Sequence, residues 1–419
     1  MADLAAALRA QLGRQVAHWG VATARLQKPG DLASEGAWQN LEKYLGITLR
    51  KHLALSVERL ERHCTALRGA FQAARSVAEL QEVANKLLDF RQRYLKTETT
   101  LEFYADAIRS RTSPEVGAVL RGCDSLAHRS MSLVLDQLGK PVPATLTFID
   151  KGMGALILKA RLRLWDGSES PVASIKITRH NLHRPTSLIH ETGHQVAHIA
   201  GWNEELAGVL REGLHGSTPR GAQAWSGWAS EIAADAHAFV HTGYAAVAAL
   251  HDVLAGEESQ VFRHTPGDPH PVGYLRVLLG AEMCRAFYGE GPWDDLALAW
   301  GYRHPLEGAP AGVARLIEES LPHLRQIAEL TLSRPMRAFG GRPLSALVRP
   351  ERVAPHALRE MEREIGGALY TSTHWAWTES LRILALNGLR LATEPERAAE
   401  IVKEQESWMF TLGGTLQAA

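Results

Sequence analysis

Cysteine is scarce in this chain of 419 residues, which has only three. Cys64, Cys123 and Cys284 are far apart, odd in number and contain no CxxC pair. That excludes a disulfide framework and points to a reducing compartment. An excess of charge of either sign is also missing. Lysine plus arginine and aspartate plus glutamate both total 46, for a net charge of zero. No whole-protein field is therefore available to recruit nucleic acid or an anionic membrane. No run approaches the ~18 consecutive apolar residues of a membrane span. The opening "MADLAAALRAQLGRQVAHWG" has no signal-peptide core, because Arg9, Gln11, Arg14 and Gln15 interrupt it. There is no internal repeat and no low-complexity tract. Together these absences predict a soluble, cytoplasmic protein with neither nucleic acid nor membrane as a partner.

What is present is an ordinary globular composition, 45% apolar and 22% charged, in a chain long enough for two or three domains. Residues 1–140 read as helices packed in a bundle or arm. Leu4, Leu8, Leu12 and Val16 recur every four residues, one face of an amphipathic helix that packs on another helix. Ser76 and Glu79 have capping-box spacing. Ser113 and Pro114 open a helix that Gly139 closes. The texture then changes. "ATLTFI", "ALILKARLRLW" and "VASIKIT" read as three strands of a small antiparallel sheet, separated by turn signals at residues 150–154 and 166–171. From Pro185 onward helices return, with "GSTPRGA" and "HTPGDPHPVG" as loops and one long apolar helix between them. The fold class is mainly α (α+β): a small sheet and its site helices embedded between helical regions. The expected division is 1–140, a core of 141–255, and a helical region of 256–419 that completes the cleft.

"SLIHETGHQVAHIAGW", Ser187 to Trp202, carries the chemistry. His190 and His194 lie four apart, so their imidazoles leave one helix face a turn apart and can converge on one ion. Glu191, next to the first histidine, reaches the rim of such a site and can take a proton from water there. His198 lies two turns, roughly 12 Å, from His190, out of reach of that ion and suited to a structural role or to a place behind the ligands. The long three-histidine motif on one stretch is excluded, because Ala197 and Ala200 stand where it needs glycine and histidine. The third ligand must come from elsewhere. Glu231 and Asp235 in "SEIAADAHAF" share a helix face. A carboxylate can ligate zinc, and a second one a turn away can hold a ligand histidine by its other nitrogen. Their surroundings are strongly apolar, and a buried carboxylate pair without a cation is costly. His237 is the rival ligand, but it lies about 120° around the helix from Glu231.

The two motifs together resemble those of gluzincin-type zinc metallopeptidases, and locally the ImmA/IrrE domain. There a small sheet precedes a Thr-x-x-His-Glu-x-Gly-His segment like "TSLIHETGH", and the second motif looks like "EIAADAHAF". The resemblance covers about residues 145–245. It implies Zn2+ as cofactor, His190, His194 and Glu231 as ligands, Glu191 as general base and Asp235 behind the ligands. An extra helix between the motifs departs from the pattern. The helix-turn-helix partner domain has no counterpart in residues 1–140, so repressor cleavage does not carry over.

The expected activity is peptide hydrolysis by zinc-activated water, with a polypeptide substrate and the site between the His190 and Glu231 helices, under the sheet. The oxyanion needs a donor beyond the metal. His270, in a proline-flanked loop, is the first candidate and Tyr274 the second. "VASIKIT" offers an edge to an extended peptide, which favours an endopeptidase. "GMGAL" lacks the glutamate of the aminopeptidase signature. The competing reading is a helical binding or scaffold protein stapled by a structural or vestigial zinc. A further expectation is a regulatory protein partner on the helical regions.

Overall fold

The computed structural model describes residues 2–152 and 155–414. Its contacts cluster into two compact units, residues 1–113 with 158–172, and residues 114–157 with 173–419.

The first unit is built from α1 (Ala2–Leu26), α2 (Glu35–Leu45), α3 (Leu49–Ala73) and α4 (Val77–Arg109). The capping box forms at Ser76 and Glu79 and starts α4. Leu12 and Val16 of α1 bury against Leu60, Cys64 and Leu67 of α3 and Leu80, Val83 and Leu87 of α4. Leu4, on the same stripe, stays exposed. Residues 158–172 join this unit through side chains. The Tyr104 hydroxyl lies 3.1 Å from Ser170 Oγ, and an Arg59 guanidinium nitrogen donates to Asp166 at 3.2 Å. The Phe103 and Trp165 rings meet at 5.5 Å.

The second unit opens with α5 (Pro114–Leu135), so this helix belongs to a different compact unit from α1–α4. It runs beside the helix Ala398–Gly414 at close range, made possible by paired glycines. A Cβ on Gly413 would lie 1.8 Å from the Ala118 carbonyl oxygen, and one on Gly122 would lie 2.9 Å from that of Met409.

Three strands follow: β1 (Thr145–Ile149), β2 (Leu156–Leu158) and β3 (Ala173–Ile177). Their order is β1-β3-β2, and β1 pairs parallel with β3, Thr145 opposite Ala173 and Ile149 opposite Ile177. The sheet is therefore mixed and not the expected antiparallel one. Parallel neighbours need a long crossover, and residues 150–172 supply it. Two finer expectations also change. The strand predicted over 155–165 ends at Leu158, and Arg161 beyond it adopts φ 67°, outside strand geometry. "VASIKIT" is the central strand with both edges paired, so it offers no free edge to a peptide.

The helices α6 (Thr186–Ala200), α7 (Trp202–His215), α8 (Pro219–Gly227), α9 (Ala229–Thr242), α10 (Tyr244–Leu254), α11 (Glu258–Val261), α12 (Gly273–Tyr288) and α13 (Pro292–Arg303) follow. The "GSTPRGA" loop is shorter than expected, because α8 starts within it. The long helix expected after it is three. It breaks at Trp228 and again at Gly243, whose φ is 57° and whose Cα faces the Val353 carbonyl so closely that a Cβ would lie 2.8 Å from it. Among the described residues no helix is long and apolar enough to cross a membrane. The three cysteines form no disulfide and are buried.

Candidate metal centre

Helices α6 and α9 carry the two sequence motifs and pack directly on each other. Gly193, inside the HExxH motif, makes this approach possible. A Cβ there would lie 2.8 Å from Ala234 Cα and 2.9 Å from His237 Cβ. The small residue thus sets the helix spacing, and the spacing sets how far Glu231 stands from the histidines.

That distance suits one ion. Glu231 Oε2 lies 3.5 Å from His190 Nε2, and Oε1 lies 3.3 Å from His194 Nε2. The donor atoms of all three residues fall within 4.8 Å of one another. Ligands held at 2.0–2.2 Å around a tetrahedral zinc stand roughly 3.3 Å apart; the two contacts are near that length but use different Glu231 oxygens, and donor atoms taken one per residue lie within 4.8 Å. Two neutral-capable imidazoles and one carboxylate are also the donor types of a hydrolytic zinc. The two rings meet edge to face at 4.8 Å. Each is held from behind. His190 Nδ1 lies 2.9 Å from Asp235 Oδ1, and His194 Nδ1 lies 3.3 Å from the Ser230 hydroxyl. These contacts leave the Nε2 atoms facing Glu231.

Sequence reasoning missed Arg276. It lies on the first turn of α12 and is almost fully buried. Its guanidinium donates to both oxygens of Asp235, at 2.6 and 2.8 Å. The same NH2 nitrogen stands 2.9 Å from Glu231 Oε2 and 3.4 Å from His190 Nε2. A signal for it was present. Arg276 is the single charge in the apolar run "VGYLRVLLGA", and an arginine buried there needs carboxylate partners. Glu231 and Asp235 were two carboxylates in need of a cation. Their burial alone therefore does not demand a metal. The convergence of both imidazole nitrogens on Glu231 is what points to one. In comparisons with family models, curated proteins and solved structures, nothing matches this chain.

The electrostatics follow from these contacts. Burial works to lower the His190 pKa, but Asp235 and Glu231 outweigh it and push the imidazole up to about 10. Burial works to raise the Glu231 carboxyl, and the two histidines and Arg276 hold it well below the usual carboxylate range. Asp235 is lowered in the same way, chiefly by Arg276 against its own burial. Without metal, these contacts favour the protonated form of His190. With zinc, the two charges of the ion and one of Arg276 balance the carboxylates of Glu191, Glu231 and Asp235.

The remaining predicted residues have distinct places. Glu191 is buried beside His190, near enough to Arg276 to act on its charge. His270 stands at the rim. Its Nδ1 lies 2.6 Å from Asp268 Oδ1, which also accepts from its backbone N–H at 3.0 Å, and its Nε2 faces Glu231 Oε1 at 3.7 Å. Tyr274 packs on Phe262 at 5.6 Å between ring centroids, and its hydroxyl borders Gly301 of α13. His198 is exposed on the last turn of α6. His237 is fully buried on another face of α9, 3.4 Å from the Thr192 hydroxyl and beside His241. Thr192 also lies 2.7 Å from the Ser130 hydroxyl of α5. These groups brace the back of α6.

Proposed function

We propose that the protein is a zinc-dependent metallopeptidase of gluzincin type that hydrolyses peptide bonds in a polypeptide substrate. The observation that carries this reading is the convergence of His190, His194 and Glu231 at zinc-ligand spacing with Glu191 on the same helix turn. Structural zinc sites are closed by four protein ligands, whereas hydrolytic sites use three and keep a position open. Among the described residues the cluster has three. This favours an enzyme over a scaffold stapled by metal.

His190, His194 and Glu231 would hold the ion, which when bound supplies Lewis-acid polarisation of water and of the scissile carbonyl. Asp235 fixes the His190 ring through Nδ1. Glu191 removes a proton from the attacking water and delivers it to the leaving amine. His270, oriented by Asp268, offers Nε2 to the oxygen that gains charge in the transition state. Tyr274, packed against Phe262, is the weaker candidate for that task. A cytoplasmic setting belongs to the same proposal and is supported by three buried cysteines outside any disulfide.

The test is elemental analysis of purified wild type and Glu231→Ala, followed by peptide cleavage with wild type and Glu191→Gln. About one zinc per chain in the wild type, lost in Glu231→Ala, with Glu191→Gln loaded but at least ~10³-fold slower, is the expected result. A wild type that takes up no zinc removes the metallopeptidase reading.

A further inference from the structure

Resting on that metal site, we propose that Arg276 is a built-in cation that keeps the centre formed without metal and weakens zinc binding. Zinc is then held exchangeably and not permanently. Arg276 bonds to Asp235 through two nitrogens, at 2.6 and 2.8 Å, and one of them also contacts Glu231 Oε2 at 2.9 Å. That nitrogen is also 3.4 Å from His190 Nε2. It therefore touches one of the two histidine nitrogens an ion would use and one of the two Glu231 oxygens.

Three consequences follow. In the metal-free protein the two buried carboxylates have a permanent partner, so they do not spread apart, and the fold does not depend on the ion. When an ion arrives, Glu231 Oε2 is already engaged by a donor. Oε1, on the side of His194 and His270, is the oxygen that Arg276 leaves open to ligate. A fixed positive charge also remains beside a divalent cation in a buried site, where repulsion is poorly screened. The second and third effects shift the equilibrium toward metal-free protein.

The experiment compares zinc dissociation constants of wild type, Arg276→Met and Arg276→Lys by competition with a chelating dye. Thermal melting of each protein with and without zinc accompanies it. Arg276→Met is expected to bind zinc at least ~10-fold more tightly, with its metal-free form melting below wild type. Arg276→Lys keeps the charge and is expected to stay within about 3-fold of wild type. If metal-free Arg276→Met does not fold, the protein is purified with zinc, and its release to excess chelator is expected to be slower than from wild type. Equal or weaker zinc binding by Arg276→Met overturns the proposal alone. So does equal tightening in both variants, because charge is then not the cause. Absence of zinc binding in all three proteins overturns the metal site and this proposal with it.

Discussion

Each side chain at the centre has one contact that defines its task, and the tasks separate by measurement. Asp235 touches His190 and Arg276 but none of the remaining donors. In the proposed site it orients a ligand and does not supply one. Asp235→Ala is expected to weaken zinc binding about 10–100-fold while leaving the site able to load at high zinc, read by dye competition. His270 has the opposite profile. It is largely exposed and held by Asp268 with Nε2 toward Glu231. His270→Ala is expected to lower kcat about 10²–10³-fold with zinc affinity nearly unchanged. A loss of zinc in that variant would make His270 a fourth ligand instead, and the site a closed one.

At the level of elements, the close packing of α6 on α9 decides whether the donors meet. Gly193→Ala puts a methyl where Ala234 and His237 already stand. The helices must part, which is expected to cost about 1–3 kcal/mol in urea unfolding and to weaken zinc binding as Glu231 moves away. Behind that interface His241 is buried and neutral, its pKa pushed down to about 3 by burial, and burial lowers His237 as well. In the unfolded chain a histidine titrates near 6.5. Between these values the unfolded state binds a proton that the native state does not, so stability rises with pH from about 3 to 6.5 and the contribution is flat above. Metal-free protein is expected to lose up to about 1.4 kcal/mol per pH unit per such histidine below pH 6.5. His241→Asn should lose less than wild type between pH 7 and pH 5 by urea unfolding. Equal losses would mean that His241 titrates freely in the fold.

The same scale shows what could be read in advance. Local spacing was legible: the HExxH pair and the Ser76 capping box both depend on residues within a turn or two. The carboxylate pair on α9 was legible because its polarity conflicts with its apolar neighbours. Pairing across long separations was not. Thr145 and Ala173 are parallel partners only because the crossover of residues 150–172 exists. Nothing in "VASIKIT" distinguishes a central strand from an edge. Arg276 was hidden for a related reason. Its three partners come from α6 and α9, and only the packed fold brings α12 to them.

For the whole molecule, the two units have separate cores. Leu12, Leu60 and Leu87 belong to one, and Ile189, Ile232 and Leu279 to the other. All the residues of the proposed metal site lie in the second, which also holds the sheet pair β1–β3 and the helices after it. A ligand that binds only one cooperative unit stabilises that unit by mass action and leaves an independent one where it was. Calorimetry is therefore expected to resolve two transitions, the larger in enthalpy belonging to the larger unit. Zinc at about 100 times its dissociation constant should raise the larger one by the equivalent of about 2.7 kcal/mol and leave the smaller unmoved. A chelator should reverse the shift. A single transition that moves as a whole with zinc would show that the helical unit of residues 1–113 and 158–172 is energetically coupled to the metal centre. Such coupling is what a partner binding to those helices would need in order to regulate it.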